Sequence, residues 1–239
     1  QFWDGRAPLL EDQAKGPVSN PVEMGMKDVD TAMERVRRIP GYKAYFDKAF
    51  GENSMTVDNA AKAVAAFERT LITPNSSYDK YVKGDNKAMS EQQVRGMNKF
   101  ASSGCTSCHS GAAFNGPQMK LGEGFFTKFP TFTDNTYVAQ YKLADDKGRQ
   151  EVTGNEADAS MFRTPTLRNI TDTAPYFHNG SVNDLAEAVR VMAKTQLNKD
   201  LPDSDVNDIV AFLGALTGEY PEITMPRLPA TSGTSIVAD

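Results

Sequence analysis

Cys105-Thr106-Ser107-Cys108-His109 uses both cysteines and one of the two histidines of a 239-residue chain. The spacing C-x-x-C-H is that of covalent c-type haem attachment. Two thiols about one turn apart each reach a vinyl group of the ring, while the imidazole that follows lies under the iron. Thioethers then hold the ring, and His109 becomes its proximal ligand. Three other readings compete for the same residues: a redox C-x-x-C, half of a zinc site and an ordinary disulfide. A redox motif needs a βαβ setting that the surrounding pattern does not offer, and zinc needs two further Cys or His ligands where only His178 remains. Haem attachment is therefore the reading carried forward.

Outward from the motif, the pattern is helical. After Ser90, a plausible N-cap, Val94, Met97 and Phe100 recur at helical spacing until Gly104 ends the run just before Cys105. Downstream of Asp203-Ser204, the residues Val206, Ile209, Val210, Phe212, Leu213 and Leu216 mark a second amphipathic helix that stops before Gly218. Two such helices can cross and enclose a ring, with Gly96 permitting close approach and Phe100 packing beside it. A third pattern over 183–195 puts Leu185, Val189 and Met192 on one face, an alanine-rich helix pattern covers 58–71, and another covers 27–38, closed by Pro40-Gly41. The stretch 111–173 is rich in Gly, Thr, Asp and Pro and reads as long and irregular, with little strand signal. The fold class is mainly α, and the tail from Tyr220 reads as an extended strap that frays in a polar Ser/Thr segment.

Charge and hydropathy exclude some functions. With 26 Lys+Arg against 31 Asp+Glu the net charge is −5, which argues against a phosphate-binding surface and a nucleic-acid partner. No apolar run approaches the roughly 20 residues of a membrane span. The chain opens at Gln1 without a basic and then apolar leader, so any export signal is expected to have been removed or to lie outside this chain. Haem is attached outside the bacterial cytoplasm, which makes the periplasm the expected location.

An iron held by His109 on one side is either closed by a second ligand, giving an electron carrier, or left open for chemistry. Met119, Met161, Met192 and Met225 follow the attachment site. Met192 lies on an apolar helix face ahead of the last helix, and Met161 satisfies the same loose test, so residue chemistry alone leaves the two tied.

Across nearly its whole length the chain resembles the bacterial di-haem cytochrome c peroxidases. The resemblance is carried by Phe2-Trp3-Asp4-Gly5-Arg6, by Asn20-Pro21-Val22-Glu23-Met24, and by Cys105-Thr106-Ser107-Cys108-His109. It continues through Arg163-Thr164-Pro165-Thr166-Leu167-Arg168-Asn169-Ile170, Ala174-Pro175-Tyr176-Phe177-His178-Asn179-Gly180 and Ala188-Val189-Arg190-Val191-Met192. It implies two cytochrome c-like domains, one with a high-potential His/Met haem and one with a low-potential haem where hydrogen peroxide is reduced to water. Residue by residue, it makes His109 and Met192 the axial ligands of the high-potential haem and Cys105 and Cys108 its anchors. Trp3 matches a tryptophan lying between the haems. Gln13 and Glu23 match side chains on the distal side of the peroxidatic haem, with Glu23 as acid/base. Thr173 and Pro175 match positions whose backbone carbonyls help to bind calcium. His178, in the same loop, is taken as a structural neighbour of the haem and not a ligand.

The family carries two C-x-x-C-H motifs and this sequence one. The resemblance therefore implies a second haem c on an N-terminal portion preceding the Trp3 segment. On that basis residues 1–73 are expected to form the non-haem part of the peroxidatic domain, 74–220 the complete high-potential haem domain, and 221–239 a strap returning to the first. The family implies a small periplasmic c-type cytochrome or cupredoxin as electron donor, and a homodimer. The alternative from another class is a single-haem electron-transfer cytochrome without peroxidase activity. A relative that uses the two-haem scaffold to modify a protein cofactor is disfavoured, because it lacks the methionine ligand that Met192 supplies.

Overall fold

The computed structural model describes residues 1–229, so the polar end of the tail lies outside the described residues. The chain divides into two units. One takes Gln1, Ala7–Ile72 and, of the tail, the described residues 221–229; the other takes Phe2–Arg6 and Thr73–Tyr220. The Trp3 segment, expected with the first unit, thus packs with the second.

The first unit is built from the short helices α1 (Leu10–Gln13) and α2 (Gly16–Ser19) and from α3 (Val29–Arg37), α4 (Pro40–Phe50) and α5 (Val57–Glu68). Asp28 caps α3 by accepting from the Thr31 N–H at 2.6 Å, and Thr56 caps α5 by accepting from the Asn59 N–H at 3.2 Å. Met33, Ala61 and Ala65 point inward. Pro40-Gly41, read in the sequence as a helix end, also begins the next helix: Pro40 is the first residue of α4, where its missing N–H costs nothing. Ion pairs between Arg69 and Glu11 (2.9 Å) and between Lys15 and Asp58 (2.7 Å) tie α1 and the α1–α2 turn to α5 and its end. Both are exposed and contribute little on their own.

The second unit contains α6 (Ser77–Val82), α7 (Glu91–Ser103), α8 (Thr136–Gln140), α9 (Gln150–Thr153), α10 (Leu185–Leu197) and α11 (Asp203–Gly214), with two strands, β1 (Phe126–Lys128) and β2 (Met161–Arg163). Ser90 and Gln93 cap each other at the start of α7: the Ser90 hydroxyl accepts from the Gln93 N–H at 3.2 Å, and the Gln93 side chain accepts from the Ser90 N–H at 2.9 Å. Gly104 ends the helix in the left-handed region, at φ 101°, one residue ahead of Cys105. Its packing partner is α11. A Cβ on Gly96 would stand 1.8 Å from the Asp208 carbonyl oxygen, so only glycine lets the two backbones come this close. Phe100 and Phe212 meet across the crossing at 5.4 Å between ring centroids, above buried Ile209, Leu213 and Leu216. Burying each such side chain stabilises the unit by about 1.5–3 kcal/mol.

Within 111–173 the structure finds the antiparallel pair β1–β2, in which Thr127 faces Phe162. At three residues each, the strands are too short to display an alternation of period two. Among the described residues no helix is long and apolar enough to cross a membrane.

Candidate haem site

Cys105–Ser107 form a single 3-10 turn directly after the Gly104 cap, which turns the chain so that His109 ends buried. The His109 N–H donates to the Cys105 carbonyl at 2.9 Å, closing the motif on itself. Its ring is fixed from the other side, since Nδ1 lies 2.9 Å from the Phe114 carbonyl oxygen. A carbonyl only accepts, so Nδ1 carries the proton and Nε2 is left bare as a metal donor. Burial holds the imidazole below the ordinary histidine range, with the Phe114 bond opposing it. By disfavouring the charged form, burial favours the neutral ring that ligation requires.

The site is a cavity of about 390 Å³ lying wholly in the second unit, with Cys105, Cys108, His109 and Met192 all on its walls. Between them run apolar side chains of α10 and α11, among them Leu185, Val189, Ile209 and Leu213. Met161 is not on the wall: it sits in β2, opposite Lys128. Burial pushes the Cys105 thiol up to about 11. That is the opposite of a redox C-x-x-C, where one thiol is depressed to favour the thiolate. Among the described residues there is no cluster of three or more His, Cys, Asp or Glu that could hold a metal ion, which leaves the zinc reading without its remaining ligands. His178 also lines the cavity, its ring stacked on Phe162 at 4.3 Å, and its buried Nε2 has no partner within the described residues. Burial lowers its pKa, against the pull of Asp146. Two thiols, a bare imidazole nitrogen and a thioether on an apolar cavity are the donor set that suits a covalent haem, and the residues present fit that group.

Comparison with known proteins agrees with this chemistry. The model of the di-haem cytochrome c peroxidase family matches residues 1–87. The cytochrome c551 peroxidases of Nitrosomonas europaea and Pseudomonas aeruginosa are each 42% identical to this chain, over 97% and 98% of it. The chain belongs to the di-haem cytochrome c peroxidase family. It spans 66% of the length of each of those two relatives. A solved MauG-like protein associated with microbial copper homeostasis superposes with a TM-score of 0.71 at 26% identity, covering 88% of this chain and 69% of that one.

The residues that the family resemblance singles out fall into two groups. Trp3 lines the same cavity as His109, and its carbonyl accepts from the Arg163 N–H at 2.7 Å, which pins the segment to the end of β2. Gly5, at φ 73°, is packed so closely on Phe126 that a Cβ would stand 2.4 Å from that ring. Thr173 and Pro175 lie on the exposed loop after the Ile170–Asp172 turn, at the cavity wall. Gln13 and Glu23 belong to the first unit. Gln13 ends α1, and Glu23 is exposed in the turn after α2, its N–H donating to the Asn20 carbonyl at 3.0 Å. Residue chemistry alone did not nominate Phe114, whose carbonyl orients the imidazole; the signal for it is Gly111 and Gly116 on either side of it, which mark a tight turn after the motif.

Proposed function

We propose that this chain is part of a periplasmic cytochrome c peroxidase that reduces hydrogen peroxide to water, drawing electrons from a small c-type cytochrome or a cupredoxin. The observation that carries the reading is the single cavity on which Cys105, Cys108, His109 and Met192 converge, in a chain 42% identical to cytochrome c551 peroxidases. Bound there, haem c supplies one-electron redox chemistry at a potential raised by a methionine ligand. Cys105 and Cys108 would anchor the ring, His109 Nε2 and the Met192 thioether would serve as iron ligands, and the apolar walls would exclude water. With both of those ligands engaged, this site would pass electrons and would not bind peroxide. The peroxide chemistry belongs to a second haem of the family, served by residues of the first unit.

Two electrons and two protons turn hydrogen peroxide into two waters. In this reading Glu23 takes the proton from one peroxide oxygen and returns it to the departing one, Gln13 orients the peroxide, and Trp3 assists electron passage between the haems. The carbonyls of Thr173 and Pro175 offer the hard oxygen donors that suit calcium. The protein acts as a homodimer.

The test is turnover by the native, haem-loaded protein with a reduced small cytochrome or cupredoxin. Oxidation of two donors per peroxide is the expected result. Donor oxidation that stops after the haem is filled, with no peroxide consumed, would instead establish a single-haem electron-transfer cytochrome.

A further inference from the structure

The loop after the attachment motif is held from outside by an arginine that the reading above leaves unused. Phe114, whose carbonyl accepts a hydrogen bond from His109 Nδ1, sits at φ 53°, a left-handed conformation that costs a non-glycine residue roughly 1–2 kcal/mol. Its N–H donates to the Gly111 carbonyl at 3.1 Å, and the Gly116 N–H donates to the Ser110 carbonyl at 3.1 Å, so the turn is tight. Other groups must hold such a turn in place. Arg168 donates twice to the Ala112 carbonyl, from Nε at 3.0 Å and from Nη2 at 2.8 Å, and its guanidinium lies 5.6 Å from the centroid of the Phe114 ring. From the same strand of chain, Thr166 Oγ1 donates to the Ala113 carbonyl at 2.6 Å.

Arg168 is itself fixed. Its Nη2 meets Asp79 Oδ1 at 2.8 Å and its Nη1 donates to the buried Ser76 hydroxyl at 3.0 Å, both residues of the capping box that starts α6. Both partners of the ion pair are about four-fifths buried, at 20% and 18% side-chain exposure. Burial opposes ionisation of Asp79, and the bonds from Arg168 and Ser76 outweigh it and hold the carboxyl below its ordinary range. The ion pair therefore stands between a helix cap and the turn that aims the imidazole.

We propose that Arg168, braced by Asp79 and Ser76, is a positioning residue that holds the Ala112-Ala113-Phe114 turn so that the Phe114 carbonyl keeps its bond to His109 Nδ1, and thereby sets how strongly His109 donates to the iron. A firm acceptor on Nδ1 makes the imidazole more basic and favours the oxidised iron; a slack one lets the potential rise. This inference rests on the reading of the cavity as a His109/Met192 haem site.

The experiment is spectroelectrochemical titration of the native holoprotein and of its Arg168→Gln, Arg168→Lys and Asp79→Asn variants, with the weak sulfur-to-iron band followed to verify that Met192 stays bound. Wild type lacking a His/Met haem would overturn the haem reading whatever the variants do. With that haem present, Arg168→Gln should raise the midpoint potential by about tenfold in the reduction equilibrium, ~59 mV for one electron. Arg168→Lys, which keeps the charge but not the paired donors, should move it the same way by less. Asp79→Asn leaves Arg168 in place and serves where the arginine variants fail to fold; it too should raise the potential. Lys99→Met, which removes an ion pair from α7 to Asp205 of α11 that makes no bond to the Ala112-Ala113-Phe114 turn, should leave the potential unmoved. A potential unchanged in the folded Arg168 or Asp79 variants, or moved equally by Lys99→Met, contradicts the proposal.

Discussion

His109 and Met192 carry the clearest consequences at the scale of single residues. Met192→Ala should abolish the sulfur-to-iron band while the haem stays covalently attached through Cys105 and Cys108; persistence of the band would return Met161 to contention, although that residue lies in β2 and off the cavity wall. Glu23→Gln should lower peroxide turnover by about 10²–10⁴-fold, the usual worth of a general acid/base, and leave the spectrum of the His109/Met192 haem intact. Loss of that spectrum would mean that Glu23 supports structure instead. The C-x-x-C-H spacing stands out in the sequence, and the structure brings Cys105, Cys108 and His109 to the wall of one cavity. Residue chemistry leaves Met192 nearly tied with Met161, since a thioether on an apolar helix face is ordinary core filler; of the two, Met192 lines the cavity. Glu23 has no such signal at all: a single exposed carboxylate in a turn looks the same whether it serves catalysis or solvation.

Between elements, the α7–α11 crossing is the joint that shapes the cavity. Gly96→Ala gains up to about 1 kcal/mol of helix propensity, yet it sets a methyl group into the Asp208 carbonyl. Overpacking of this kind costs ~1–3 kcal/mol, so the clash should win, and a denaturant midpoint lower than wild type is the expected result. A midpoint raised by the substitution would show that the helices are free to separate. At the start of α6, Asp79 has a folded-state pKa lowered below the ordinary 3.8 by its bonds to Arg168 and Ser76, which outweigh its burial. The stability it contributes is therefore complete above about 3.8 and is lost as pH falls through the depressed folded value. Asp79→Asn should flatten that part of the acid-unfolding curve, and an unaltered curve would place the acid sensitivity elsewhere. Of these helices α7 and α11 were visible in the sequence from their periodicity, with Ser90 and Gly104 bounding α7 to the residue. The sequence did not reveal α4, because Pro40-Gly41 reads as a stop signal, nor the short helices α1, α2, α6, α8 and α9, nor the β1–β2 pair, whose register comes from contacts distant in the chain.

Over the whole chain, the second unit holds every residue of the cavity, from Trp3 to Leu213, and the first unit holds Gln13 and Glu23. The expected boundaries near residues 73 and 220 came from the family resemblance alone. The allegiance of Phe2–Arg6 was not readable from it, since it depends on the Trp3 carbonyl and on Gly5 fitting against Phe126. All of this turns on haem being bound at residues 105–109. The direct measurement is the mass of the proteolytic peptide spanning those residues, taken from the native protein as it is made in its own source. A peptide carrying one haem through thioethers on both Cys105 and Cys108 is the predicted result; a peptide of unmodified mass, with two thiols free to alkylate, would contradict the account.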